Sequence, residues 1–350
     1  MKKALSALLV LVSVATYAQQ DPYYTHFKDV MQAYNPAAAG HEYGEICISG
    51  LTHHQWRDYG DDTKARGTDF TETQGIANVA PVTYNLNVNS VFRLTDNDFI
   101  GAGLTFIDDQ LGFTASTGFM VNLNYRRKLQ GGFSEISGGL GIGSRQWGWD
   151  NPDFKARQPG DPLVPELSAS QSKFNMNLGV QYKIASLASG KINNFYTGFS
   201  ITNLNKPLYQ VPTGALGAII PREFVPHYYT IVGADVPISG GNIILEPAIL
   251  AKYGLFKGSS YKPQIDLSAT ALFSQTFRGG LAFRQWGNSD ALSVLLGYQR
   301  TNMKIGYSYD ITLSNVQRVS NGTHEIFVRY CIPIKTTPPT EFFRESVRFL

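Results

Sequence analysis

The sequence predicts an all-β chain, a single transmembrane antiparallel up-and-down β-barrel of about fourteen strands. Three observations carry that prediction. Aromatic residues make up 13% of the chain and charged residues only 16%, below the roughly 25% charge usual in soluble domains. Beyond residue 18 there is no uninterrupted apolar run of the roughly 18 residues that a membrane-crossing helix needs. Apolar and polar residues instead alternate with period two over successive stretches of about ten residues, the signature of strands with one apolar and one polar face. A barrel in lipid needs that pairing, with an apolar outer wall and a polar, mostly uncharged lumen.

Residues 1–18, MKKALSALLVLVSVATYA, read as a signal peptide. Lys2 and Lys3 precede an apolar run too short to span, and Thr16-Tyr17-Ala18 supplies small-residue cleavage chemistry. Removing Lys2 and Lys3 takes the formal net charge from +3 to +1, so nothing points to nucleic acid. No cysteine follows the cleavage point directly, which excludes a lipid anchor there. The expected location is the outer membrane, with both termini in the periplasm.

Residues 19–44 form a leader without alternation that carries Tyr23, Tyr24, Phe27, Met31 and Tyr34. That content is too apolar for a free tail. The Asn35-Pro36 corner and Gly40 predict a fold back into the periplasmic mouth, as a partial plug.

The barrel is expected over 45–334, leaving a tail at 335–350. In 82–94, Val82, Tyr84, Leu86, Val88, Phe92 and Leu94 alternate with Thr83, Asn85, Asn87, Asn89 and Arg93. In 173–184, Phe174, Met176, Leu178, Val180, Tyr182 and Ile184 alternate with Lys173, Asn175, Asn177, Gln181 and Lys183, and 264–273 repeats the pattern. The same reading places strands near 45–57, 80–94, 99–107, 114–129, 133–147, 173–184, 194–203, 227–237, 242–253, 262–274, 277–286, 290–300, 302–312 and 323–334. The stretches TDND, QGG, SGG and SQT make tight turns after even strands. The long connections 58–79, 148–172 and 204–226 follow odd ones. Sorting by parity is what periplasmic turns and outer loops require.

The two cysteines follow from this topology. Cys47 lies near the start of the first strand and Cys331 near the end of the last, and closure makes those strands antiparallel neighbours. Parity puts both on the lumen side, at similar height. They are candidates for a disulfide across the closure seam, with two unpaired thiols as the alternative.

The residues also carry a family resemblance. QQDPYYTHFKDVMQAYNPAAAG at 19–40, HQWRDYG at 54–60, APVTYNLNVN at 80–89, IGAGLTFIDDQLG at 100–112 and GYSYDITLSNVQRVSNGTHEIFVRY at 306–330 resemble, in order, the elements of the PorP/SprF-like family. The matching motif residues are Asn35, Pro36, Ala37, Gly40, Gln55, Trp56, Tyr309, Asp310, His324 and Glu325. The resemblance implies an outer-membrane component of the type IX secretion system. It would sit in outer-membrane lipid beside other secretion components and support secretion or surface anchoring of an exported cargo such as a gliding adhesin.

An enzyme is not expected. HExxH, CxxC and GxSxG patterns are absent, and the adjacent His53 and His54 point to opposite strand faces, so they cannot share a metal. No cofactor is expected. The triplets His54-Gln55-Trp56, Arg145-Gln146-Trp147 and Arg284-Gln285-Trp286 read either as a repeated ligand grip or as an interfacial aromatic belt, with the belt favoured. Glu246, Lys252, Arg278, Arg284, Glu325 and Arg329 share lumen parity. They are expected to pair there, because unpaired buried charge is costly. Should they instead line a solute path, the alternative function is a porin-like channel for small-solute uptake.

Overall fold

The computed structural model describes residues 21–40, 43–57, 80–112, 114–149, 168–212, 219–254, 263–285, 291–318 and 320–334. The expected signal peptide, Gly60, Trp286 and the tail from 335 lie outside them. The strands in chain order are β1 (Glu45–His54), β2 (Val82–Arg93), β3 (Asp98–Leu111), β4 (Thr114–Leu129), β5 (Ser134–Trp149), β6 (Ala169–Leu187), β7 (Ile192–Thr202), β8 (Leu208–Pro212), β9 (Ile219–Glu223), β10 (His227–Ile238), β11 (Ile243–Gly254), β12 (Gln264–Phe273), β13 (Phe277–Gln285), β14 (Ala291–Arg300), β15 (Met303–Thr312) and β16 (Thr323–Pro333). Fourteen of them close into one antiparallel barrel, each pairing with its neighbour along the chain and β16 pairing back to β1. Only β8 and β9 stand apart, as a separate hairpin.

Alternation becomes an inside-out distribution of polarity. Leu86, Phe119, Leu178 and Leu281 are 41–54% exposed on the outer wall, whereas Asn85, Asn87, Asn122, Asn177 and Thr270 are 5% exposed or less on the inner one. A soluble protein does the reverse; a wall against lipid does this. At one end of the barrel, here the turn end, the strands are joined by two to four residues. The other, the loop end, carries the long connections.

The wall is uneven. Strands β3 to β6 run 14, 16, 16 and 19 residues, against 9 or 10 in β12 to β15. The excess rises at the loop end. There the outward row changes from Phe106, Phe119 and Phe174 to Asp108, Thr117 and Ser172, marking where the apolar band stops. The hairpin packs against this tall section. Tyr209, Val211 and Phe224 enclose Trp147, which is fully buried, and Arg222 lies over its ring at 5.4 Å. The Tyr209 hydroxyl donates to the Arg145 carbonyl at 2.7 Å. Burial pushes its pKa up to about 12 despite the nearby Arg145, so the proton is retained at neutral pH.

Three sequence expectations change here. Trp147 is not part of an interfacial belt: it has inward parity, and the hairpin covers it. The connection 204–226 is not irregular throughout, since β8 and β9 form within it. Their five-residue strands, β8 ending at Pro212 and β9 carrying Pro221 at its centre, are too short for alternation to reveal. The first strand also ends at His54, before Gln55 and Trp56.

Candidate functional site: a segment held inside the barrel

Residues 21–40 lie inside the lumen. Pro36 cannot donate a hydrogen bond, and it opens a short 3-10 turn, Pro36–Ala38, whose first amides are capped by Asn35: its Oδ1 accepts from Ala37 N at 3.0 Å. A preceding 3-10 turn covers Met31–Ala33. Between and before them the chain makes no strand or long helix, so its backbone groups turn to the barrel wall for partners.

Near the loop end the holds are charged. The Asp21 carboxylate accepts from Arg145 at 2.7 Å, Thr202 at 2.6 Å and Asn203 at 3.2 Å, while its carbonyl accepts from Lys252. Glu325 receives four donors: the backbone amides of Thr25 (2.9 Å) and His26 (2.7 Å), and the Nδ1 atoms of His26 and His53, each at 2.7 Å. An ionised carboxylate has no proton to give, so both Nδ1 atoms carry hydrogen. Beside this clamp the Thr25 hydroxyl bonds to Asp310 at 3.1 Å. Arg284 bridges Asp266 (2.6 Å) and Asp310 (3.0 Å) beneath the Tyr23 ring, 4.0 Å from its centroid.

Toward the turn end the holds on residues 35–40 become steric and backbone-directed. Asn35 donates to Val180 O at 3.2 Å. Asn124 donates to the carbonyls of Pro36 (3.1 Å) and Ala39 (2.7 Å), Arg126 to those of Ala39 and Gly40, and Ser137 to that of Ala37 at 3.1 Å. The segment fits here because the facing strands carry no side chain: a Cβ at Gly179 or Gly139 would overlap Asn35 or Ala37. Gly306 makes the same room for His26. Lys28 and Asp29 complete the set, joined to Glu246 (3.5 Å) and to Lys304. Phe27, Tyr34, Tyr229, Ile231 and Leu250 form an apolar core between segment and wall.

The motif residues therefore divide. Asn35, Pro36, Ala37 and Gly40 belong to the held segment; Asp310 and Glu325 hold it. Tyr309 and His324 lie on the outward parity of β15 and β16, their rings inclined at 57° with centroids 5.1 Å apart, with the Tyr307 hydroxyl 2.8 Å from His324 Nδ1. Gln55 and Trp56 form the turn after β1, where Gln55 N donates to Pro81 O at 2.9 Å and Trp56 N to the Thr323 hydroxyl at 3.1 Å. His54, on the outer face, meets the edge of Tyr84 instead of its neighbour's clamp. Cys47 and Cys331 are direct cross-strand partners in the seam register and form a disulfide, with Cα atoms 4.0 Å apart.

Of the six lumen charges singled out in the sequence, only Glu246 and Arg278 pair with each other, at 2.6 Å. Lys252 and Glu325 are taken by the segment, and Arg284 by Asp266 and Asp310. Asp21, Asp29 and Arg145 were not recognised as anchors. The available signal was that a leader without alternation carried charges that the lumen-facing strands could neutralise.

Residues 16–330 match the family described as type IX secretion system membrane protein PorP/SprF. The chain belongs to the PorP/SprF family. Among curated proteins no sequence match is found. Solved structures share the architecture of this PorP/SprF chain at low identity. The toluene transporter TbuX of Ralstonia pickettii is 12% identical at a TM-score of 0.53, over 86% of this chain and 92% of its own. A FadL homologue of Pseudomonas aeruginosa is 11% identical at 0.52, over 86% and 93%. At such identity the likeness concerns the fold: an outer-membrane β-barrel.

Proposed function

We propose that this PorP/SprF barrel acts in the outer membrane for the secretion or surface anchoring of exported proteins, gliding adhesins among them. In this reading residues 1–18 are the export signal, the turn end faces the periplasm, and residues 19–44 are a built-in plug. The observation that carries it is a lumen occupied by a segment clamped at both ends, in a chain of a secretion family. A filled lumen leaves no open path for free diffusion of small solutes, although solute transporters with plugged lumens exist, so the family match carries the choice between the two readings. The second reading, a solute channel, is supported by the shared architecture with the toluene transporter TbuX; the occupied lumen speaks against an always-open pore.

Deletion of the gene tests the proposal. One or a few type IX cargoes should stay inside the cell or be lost from the surface, while uptake of small solutes is unchanged. Normal display of every cargo together with loss of a nutrient would favour the channel.

A further inference from the structure

Below the held segment, at the turn end, lies a cavity of about 510 Å³. Its lining carries seven lysine or arginine side chains and four carboxylates, a bias absent from the whole chain, where the counts are 30 and 27. The four carboxylates are already engaged. Glu246 is bound by Arg278 at 2.6 Å and Lys28 at 3.5 Å. Glu135 lies 3.8 Å from both Arg126 and Lys183, Asp29 is bound by Lys304, and Asp235 accepts from Asn194. Arg329 forms no ion pair among the described residues, and Lys128 only overlies the Phe99 ring at 4.8 Å. Gln32 and Gln181 also line it, but their Oε1 atoms are enclosed and face no open space.

We propose that this vestibule docks an acidic peptide segment of a partner protein. Surplus cations call for carboxylates. A cavity of about 510 Å³ exceeds what one inorganic anion fills, and a peptide with spaced Asp or Glu side chains suits both its size and its charge. The inference rests on the cavity's chemistry and holds whichever side of the membrane the turn end faces.

The experiment uses the full-length barrel in detergent and a fluorescent peptide of alternating Glu and Ser, followed by anisotropy. The Glu peptide should bind, and its Gln counterpart should not. Binding should weaken as salt rises. Combining Lys128→Gln with Arg329→Gln should weaken it about tenfold, while Arg222→Gln at the loop end leaves it unchanged. Heat-dependent gel mobility reports whether each variant barrel is closed. The peptide-charge and salt comparisons on the unmodified protein stand without any variant. Equal binding of the Gln peptide, a closed double variant that binds normally, or displacement of the peptide by phosphate at matched charge would each overturn the proposal.

Discussion

The two ends of the lumenal segment are held by different physics. Near the loop end, Asp21 and Glu325 gather charged and amide donors at 2.6–3.2 Å, in surroundings where the anchoring groups are almost fully buried. Residues 35–40, toward the turn end, are held by their backbone carbonyls, against strands stripped to glycine at Gly139 and Gly179, with the ion pairs of Lys28 and Asp29 lying between the two holds. A charge clamp is strong but fails abruptly, because losing the carboxylate strands its donors. A steric fit is weaker per contact and fails in proportion to the overlap introduced. The segment is thus most vulnerable to single substitutions at its charged end.

The largest effect is expected from Glu325→Ala. It would leave His26, His53 and two backbone amides without their acceptor, a loss of about 3–5 kcal/mol. The segment should detach at the loop end, read as increased protease access to residues 21–26. Unchanged protection would mean that Asp21 alone suffices and that the clamp is redundant.

Gly179→Val is expected to act less strongly, at about 1–3 kcal/mol. Its side chain would displace Asn35 from Val180 O and loosen the Pro36–Ala38 turn, leaving the Glu325 clamp in place. Hydrogen exchange should then rise at Ala37 and Ala39 but not at Thr25 and His26. A uniform rise along the whole segment would contradict the division into two independent holds.

Much of this architecture was legible in the sequence, because a barrel wall is a local pattern. Leu86 and Asn87 declare their faces by parity alone, and the placing of Cys47 and Cys331 on one face at one height follows from counting strands. The lumen contacts are not local. Thr25 N and Glu325 are 300 residues apart, and period two says only that Glu325 faces inward, not what meets it. Trp147 shows the same limit. Its inward parity was visible, but the hairpin that buries it comes from a Pro-interrupted connection with no alternation to read. Gly139 and Gly179 read as weak strand residues until Ala37 and Asn35 are seen filling their place.

The central claim is that the lumen is filled by its own segment. Single-channel recording in planar bilayers tests it most directly, comparing the intact barrel with a form lacking residues 21–40. The account predicts a silent intact barrel and stable ion-conducting openings after deletion. Sustained openings of the intact barrel, with no increase on deletion, would contradict it.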